Sequence, residues 1–190
     1  VSDTDGFSIA TRLTYLPRQV RSLRKNKVNF ISLTPGTAFD HARSRGGHAD
    51  ERAILYRMLY DLPLAQNERR RRLRVGLLNI LQATAGKDNW RAKAKNLPAE
   101  DLDTDLSKAF RRAVLEDAEL YAALKEGCER FARYRDYSRI PWEDSELRYD
   151  LIGKLRSKLA SVCLSALEPD LVILDEFQRF KHLLDGDDEA

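Results

Sequence analysis

The stretch Leu171-Val172-Ile173-Leu174-Asp175-Glu176-Phe177-Gln178-Arg179-Phe180 sets the expectation for the fold. Four apolar residues, two of them β-branched, read as a short buried strand, and two adjacent carboxylates stand where it stops. In α/β proteins the carboxyl end of a buried parallel strand is where ligands bind. An Asp-Glu pair is costly to bury unpaired, so it asks for a cation such as nucleotide-bound magnesium. That chemistry suits nucleotide hydrolysis: Asp175 can hold the hydrated ion, and Glu176 can orient and deprotonate an attacking water. A solvated acidic turn after any buried strand is the plainer reading of the same letters, and both stay open on this stretch alone.

Outward from it, Val28-Asn29-Phe30-Ile31-Ser32-Leu33 alternates and is β-rich, predicting a second strand over about 28–33, which Thr34-Pro35-Gly36-Thr37 stops. Between the two runs the period is helical. Ile54, Leu55, Met58 and Leu59 fall on one face after Asp50 and Glu51, and Pro63 ends that helix. Asn67 caps a second, with Leu73, Leu77, Leu78, Ile80 and Leu81, closed by Gly86. A polar, lysine-rich linker holding Trp90 and Pro98 follows. Pro98-Ala99-Glu100-Asp101 opens a helical stretch to about Arg135 that Gly127 bends or divides, and Pro141-Trp142-Glu143-Asp144 opens another, ended by Pro169. A parallel crossover needs only one helix, so the spacing predicts an α/β fragment, mostly α by content. Its sheet would be interrupted by a large helical insertion over 48–164, with residues 1–47 before it and 165–190 after it belonging to the sheet.

The 190 residues are 43% hydrophobic and 33% charged, a globular composition. No apolar run approaches the ~20 residues of a membrane span, and Val1–Gly6 lacks the basic-then-apolar pattern of a signal peptide. A cytoplasmic protein without a membrane partner is expected, and the absence of an initiator Met suggests a piece of a longer chain. Cys128 and Cys163 stand far apart, as buried free thiols would. Charge is lopsided: residues 1–95 carry 19 Lys/Arg against 8 Asp/Glu, while residues 96–190 carry 14 against 22. The basic half can face nucleic-acid phosphate or pair with the acidic half.

Asp175-Glu176-Phe177-Gln178-Arg179-Phe180-Lys181 resembles the Walker B segment, motif II, of superfamily 2 DEAD/DEAH-type helicases. In Swi/Snf-type translocases that motif continues Asp-Glu-Ala-His-Arg-Leu-Lys, which Arg179 and Lys181 match. Phe177 and Gln178 depart from the usual Ala and His. Ser32-Leu33-Thr34-Pro35-Gly36-Thr37 is similar to motif Ib of the same superfamily, and Asp50-Glu51-Arg52-Ala53-Ile54-Leu55-Tyr56 adds a likeness to helicase-like proteins of bacterial and phage-defence type. The resemblance covers about a third of the chain, at 28–60 and 165–184. It implies a fragment of a first RecA-like lobe in an ATP-dependent helicase or translocase. Asp175 would coordinate Mg2+, Glu176 would be catalytic, and Gln178 would couple ATP to the motor. Thr34, Pro35 and Gly36 would touch the tracked strand, DNA by preference over RNA. The remaining helicase lobes of the same polypeptide would be its partners.

Arg69-Arg70-Arg71-Arg72-Leu73-Arg74 is a further candidate for phosphate contact, through Arg69, Arg70 and Arg72, against a solvated helix start or internal salt bridges. Tyr134 and Tyr137 among Arg133, Arg135 and Arg139 could stack bases or pack on neighbours. Trp90 and Trp142 are expected in the core. The rival class is a non-enzymatic helical scaffold module, binding protein or nucleic acid, whose acidic strand end is incidental. The sequence holds no Gly-x-x-x-x-Gly-Lys-Ser/Thr phosphate loop. The purified 190 residues are therefore predicted to turn over ATP no faster than their Glu176→Gln variant, and a rate above that control contradicts this.

Overall fold

The computed structural model describes residues 13–23, 25, 46–64, 67–134 and 140–167. Among them every regular element is helical. A 3-10 turn, Leu13–Tyr15, leads into α1 (Leu16–Leu23), followed by α2 (Ala49–Leu59), α3 (Asn67–Gln82) and α4 (Lys87–Lys95). A second 3-10 turn, Ala99–Asp101, precedes α5 (Thr104–Glu116), α6 (Ala118–Phe131) and α7 (Trp142–Leu167). No described helix is long and apolar enough to cross a membrane.

The expected α/β fold with a partial RecA-like parallel sheet is thereby overturned for the body described: the described residues are all-α, with no strand among them. The sheet expectation rested on apolar runs of four to six residues, a length at which periodicity does not separate strand from buried helix. Both runs, 28–33 and 171–174, lie outside the described residues, whose helices pack around one apolar core. Leu13, Leu16 and Val20, from the segment expected to belong to the sheet, are buried in that same helical core.

Each helix follows from its own residues. In α2 the Glu51 carboxylate turns back to accept the His48 N–H at 2.6 Å, a capping arrangement at the positive end of the helix. Ile54, Leu55, Met58 and Leu59 then point inward. In α3 the buried set is Leu73, Leu77, Leu78, Ile80 and Leu81, and the chain leaves through Ala83 at φ 49°, the left-handed turn that unwinds helix ends. The expected lysine-rich linker is instead α4. Gly86 starts it, and Trp90 and Ala94 are its buried face, with Trp90 Nε1 donating to the Leu78 carbonyl at 2.8 Å.

The long helical stretch after Pro98 divides at Asp117, not at Gly127. Asp103 caps α5 by accepting from the Asp105 and Leu106 N–H groups, both at 3.0 Å. Asp117 caps α6 by accepting from Leu120 N–H at 3.0 Å. Gly127 stays inside α6, where a Cβ would stand 2.7 Å from Leu151 Cδ1. Helix α7 buries Leu151, Ile152, Leu155, Leu159 and Cys163 down one side. Each fully buried Leu or Phe in this core contributes on the order of 1.5–3 kcal/mol. The start of α1 is fastened by the Asp103 N–H, which donates to the Pro17 carbonyl at 2.7 Å.

Helices α3 and α6 meet at backbone distance. A Cβ on Gly76 would overlap the Cys128 carbonyl group, a backbone obstacle that cannot rotate away. Gly76→Ala is predicted to lower stability by about 1–3 kcal/mol through overpacking, although Ala gains about 1 kcal/mol over Gly in an unhindered helix interior. At Gly86, where a Cβ would meet nothing within 4 Å, Gly86→Ser should stay within about 0.5 kcal/mol of the parent. Urea unfolding of both variants checks this; a Gly76→Ala protein as stable as the parent contradicts the close crossing.

Candidate nucleic-acid interface

The arginine run at the start of α3 sweeps a full helical turn, so its members cannot share one face. The structure divides them. Arg70 and Arg74 turn toward the end of α2: both face Asp61, at 3.9 and 3.4 Å. Arg74 also donates from Nε to the Tyr60 carbonyl at 2.9 Å and lies 3.9 Å above the Tyr60 ring. Arg69 and Arg72 turn the other way, toward α6. There Arg69 pairs with Glu129, and an open cleft of about 540 Å³ is lined by Arg69, Arg72, Leu73, Glu129 and Arg133.

The cleft thus brings two guanidinium groups from α3 and one from the turn after α6 around one carboxylate. The hydrogen bond from Arg69, and then the positive charges of Arg69, Lys125 and Arg72, hold the Glu129 carboxyl below the usual carboxylate range. Glu129 is therefore ionised at neutral pH, and a net positive charge remains. Arg72 and Arg133 are exposed. Such a cleft suits a polyanion: guanidinium forks match phosphate oxygens, and Leu73 gives the floor an apolar element.

What holds α3 in place is a buried polar cluster on the other elements. Glu51, 1% exposed, accepts from Thr14 Oγ1 at 2.6 Å and from Arg156 at 3.3 Å. Arg52 donates from Nε to the Leu81 carbonyl at 2.8 Å, from NH2 to Gln82 at 3.3 Å, and from NH1 to the Gly46 and Gly47 carbonyls at 2.7 Å each. It thereby satisfies the carbonyls at the end of α3 while its cation lies 5.9 Å over Trp90. Gly47 adopts φ 55°, and a Cβ there would stand 2.5 Å from Arg156 Nε. The position needs glycine on both counts. Arg148, also buried, reaches the Ala83 carbonyl at 3.4 Å. These groups are closed off from solvent, so they serve the scaffold.

Of the residues singled out in the sequence, Arg69 and Arg72 come together in the cleft, and Arg70 is drawn off toward Asp61. Thr34, Pro35, Gly36, Asp175, Glu176 and Gln178 lie outside the described residues. Arg133 joins the cleft although about 60 residues of chain separate it from Arg72; spacing carries no signal for that meeting. Its neighbour Tyr134 instead donates its hydroxyl to Asp144. The expectation that both tryptophans pack inside holds for Trp90, 1% exposed, and is corrected for Trp142, 72% exposed. Cys128 and Cys163 are both buried; burial pushes the Cys128 thiol up and the Cys163 thiol up to about 12, so neither is a ready nucleophile. Among the described residues no three His, Cys, Asp or Glu side chains converge as around a metal ion.

No family model, curated protein or solved structure matches the chain.

Proposed function

We propose that this chain is part of a cytoplasmic ATP-dependent DNA helicase or translocase, in which the helical body contacts the DNA backbone through the Arg69–Arg72–Arg133 cleft. The observation that carries the nucleic-acid half of this reading is the cleft itself, with its excess of exposed guanidinium groups over carboxylates. The motor half rests on the resemblance of the Asp175-Glu176 and Thr34-Pro35-Gly36 segments to motor motifs, which stand after α7 and before α2 in the sequence. In that reading Asp175 and Gln178 bind the Mg2+ and ATP of the whole motor, with Glu176 as its catalytic carboxylate. The remaining lobes of the same polypeptide complete the site. In that reading the helical body contributes phosphate contact and orientation of the DNA.

Each arginine that neutralises a phosphate displaces about one counterion, so log affinity falls with log salt by about 0.9 per contact. Replacing Arg69, Arg72 and Arg133 together with Gln is predicted to lower the slope for duplex DNA by about 2.7. Arg70→Gln, already turned to Asp61, should leave the slope unchanged. Fluorescence anisotropy across a KCl series reads both. A parent protein that binds no duplex, or a triple variant with the parent slope, rejects the cleft as a DNA contact and favours the scaffold alternative.

A further inference from the structure

Trp142 is the most exposed large apolar side chain among the described residues, at 72%, well beyond Val75 and Leu115 at 41%. An indole left in water forfeits the burial that Trp90 achieves, so this ring is available to a partner. Its backbone is nevertheless fixed. It is the first residue of the 26-residue α7, and Asp144, two residues on, is clamped by the Arg130 guanidinium and the Tyr134 hydroxyl. Arg130 and Tyr134 flank Arg133, the arginine that lines the cleft. The clamp therefore ties the start of α7, where Trp142 stands, to the end of α6 that leads into Arg133.

We infer that Trp142 is a stacking platform for an unpaired base of a single DNA strand whose phosphates lie at Arg69, Arg72 and Arg133. The inference rests on the nucleic-acid reading above and narrows it to a strand with exposed bases. The indole face, and not the local charge, is what suits a base at this spot. The exposed Glu143 beside Trp142 repels phosphate, whereas the neutral face of a base stacks on indole without a charge requirement. The arginines supply the complementary sites for the backbone, so the two features divide one strand between them. A nucleotide strand passing the end of α6 would offer both at once.

The fluorescence of the chain tests this, because it has two tryptophans and one of them, Trp90, is buried. Titrating the 190-residue protein with oligo(dT) of about 12 nucleotides, a length in the range of single-strand sites, should quench emission. Trp142→Leu should abolish the quench and weaken oligo(dT) binding by about tenfold, with duplex affinity unchanged. Trp142→Phe, which keeps an aromatic face, should restore most of the affinity. Unchanged thermal unfolding of both variants is expected at so exposed a position. If oligo(dT) binds the parent and Trp142→Leu equally, with no quench, the platform is overturned while the arginine cleft stands. A parent protein that binds neither oligo(dT) nor duplex overturns both.

Discussion

The close crossing of α3 on α6 at Gly76 is the constraint from which the candidate site follows. Because position 76 has no side chain, the α3 backbone can approach the Cys128 carbonyl. Asn79, one turn along, then reaches the Phe131 carbonyl at 2.9 Å and satisfies a group at the end of α6. Leu73 and Leu77 on one side, Leu124 and Phe131 on the other, close the apolar part of the crossing. With the backbones locked in this way, the charged residues at its edge have little freedom. Arg69 and Arg72 must share space with Glu129 and Arg133, so the cleft is a consequence of how tightly two helices pack.

A second device keeps α3 from sliding. The Arg52 guanidinium ties the Leu81 and Gln82 carbonyls to the Gly46–Gly47 turn, and Glu51 next to it joins the Thr14 hydroxyl to Arg156 of α7. Buried ion pairs of this kind gain little net stability, since the cost of desolvating both charges is close to the attraction between them. Their contribution here is positional: Glu51 has donors from the N-terminal turn, from the chain before α2 and from α7, and one arrangement of those elements satisfies it. The basic end of α3 is thus presented from a body whose register is set by hydrogen bonds as well as by packing.

How much of this was legible in the sequence varied with the kind of signal. Helices α2 and α3 announce themselves through apolar residues at 3.6-residue spacing, and their expected core residues are buried. Helix α4 hides because its buried face is only Trp90 and Ala94 amid lysines. The break between α5 and α6 hides because Asp117 makes it with a side-chain cap instead of a glycine or proline. The sheet expectation came from two short apolar runs, and the helical core that incorporates Leu13, Leu16 and Val20 replaces it. For the site, the arginine run was visible but its division was not: which arginine meets Asp61 and which meets Glu129 depends on helix crossings that no local pattern encodes. The two tryptophans show the same limit. Trp90 has the Leu78 carbonyl and Arg52 to receive it, while Trp142 is left outside.

The α3–α6 cleft is the surface proposed to meet DNA. Site-directed cross-linking tests it most directly, and the chain is suited to it, because both native thiols are buried with raised pKa values and a single introduced cysteine is labelled selectively. A photoreactive label at Arg133→Cys should cross-link to duplex DNA. The same label at Asp88→Cys, on exposed α4 away from the cleft lining, should not. Equal yields from the two positions, or none from position 133, would contradict the account.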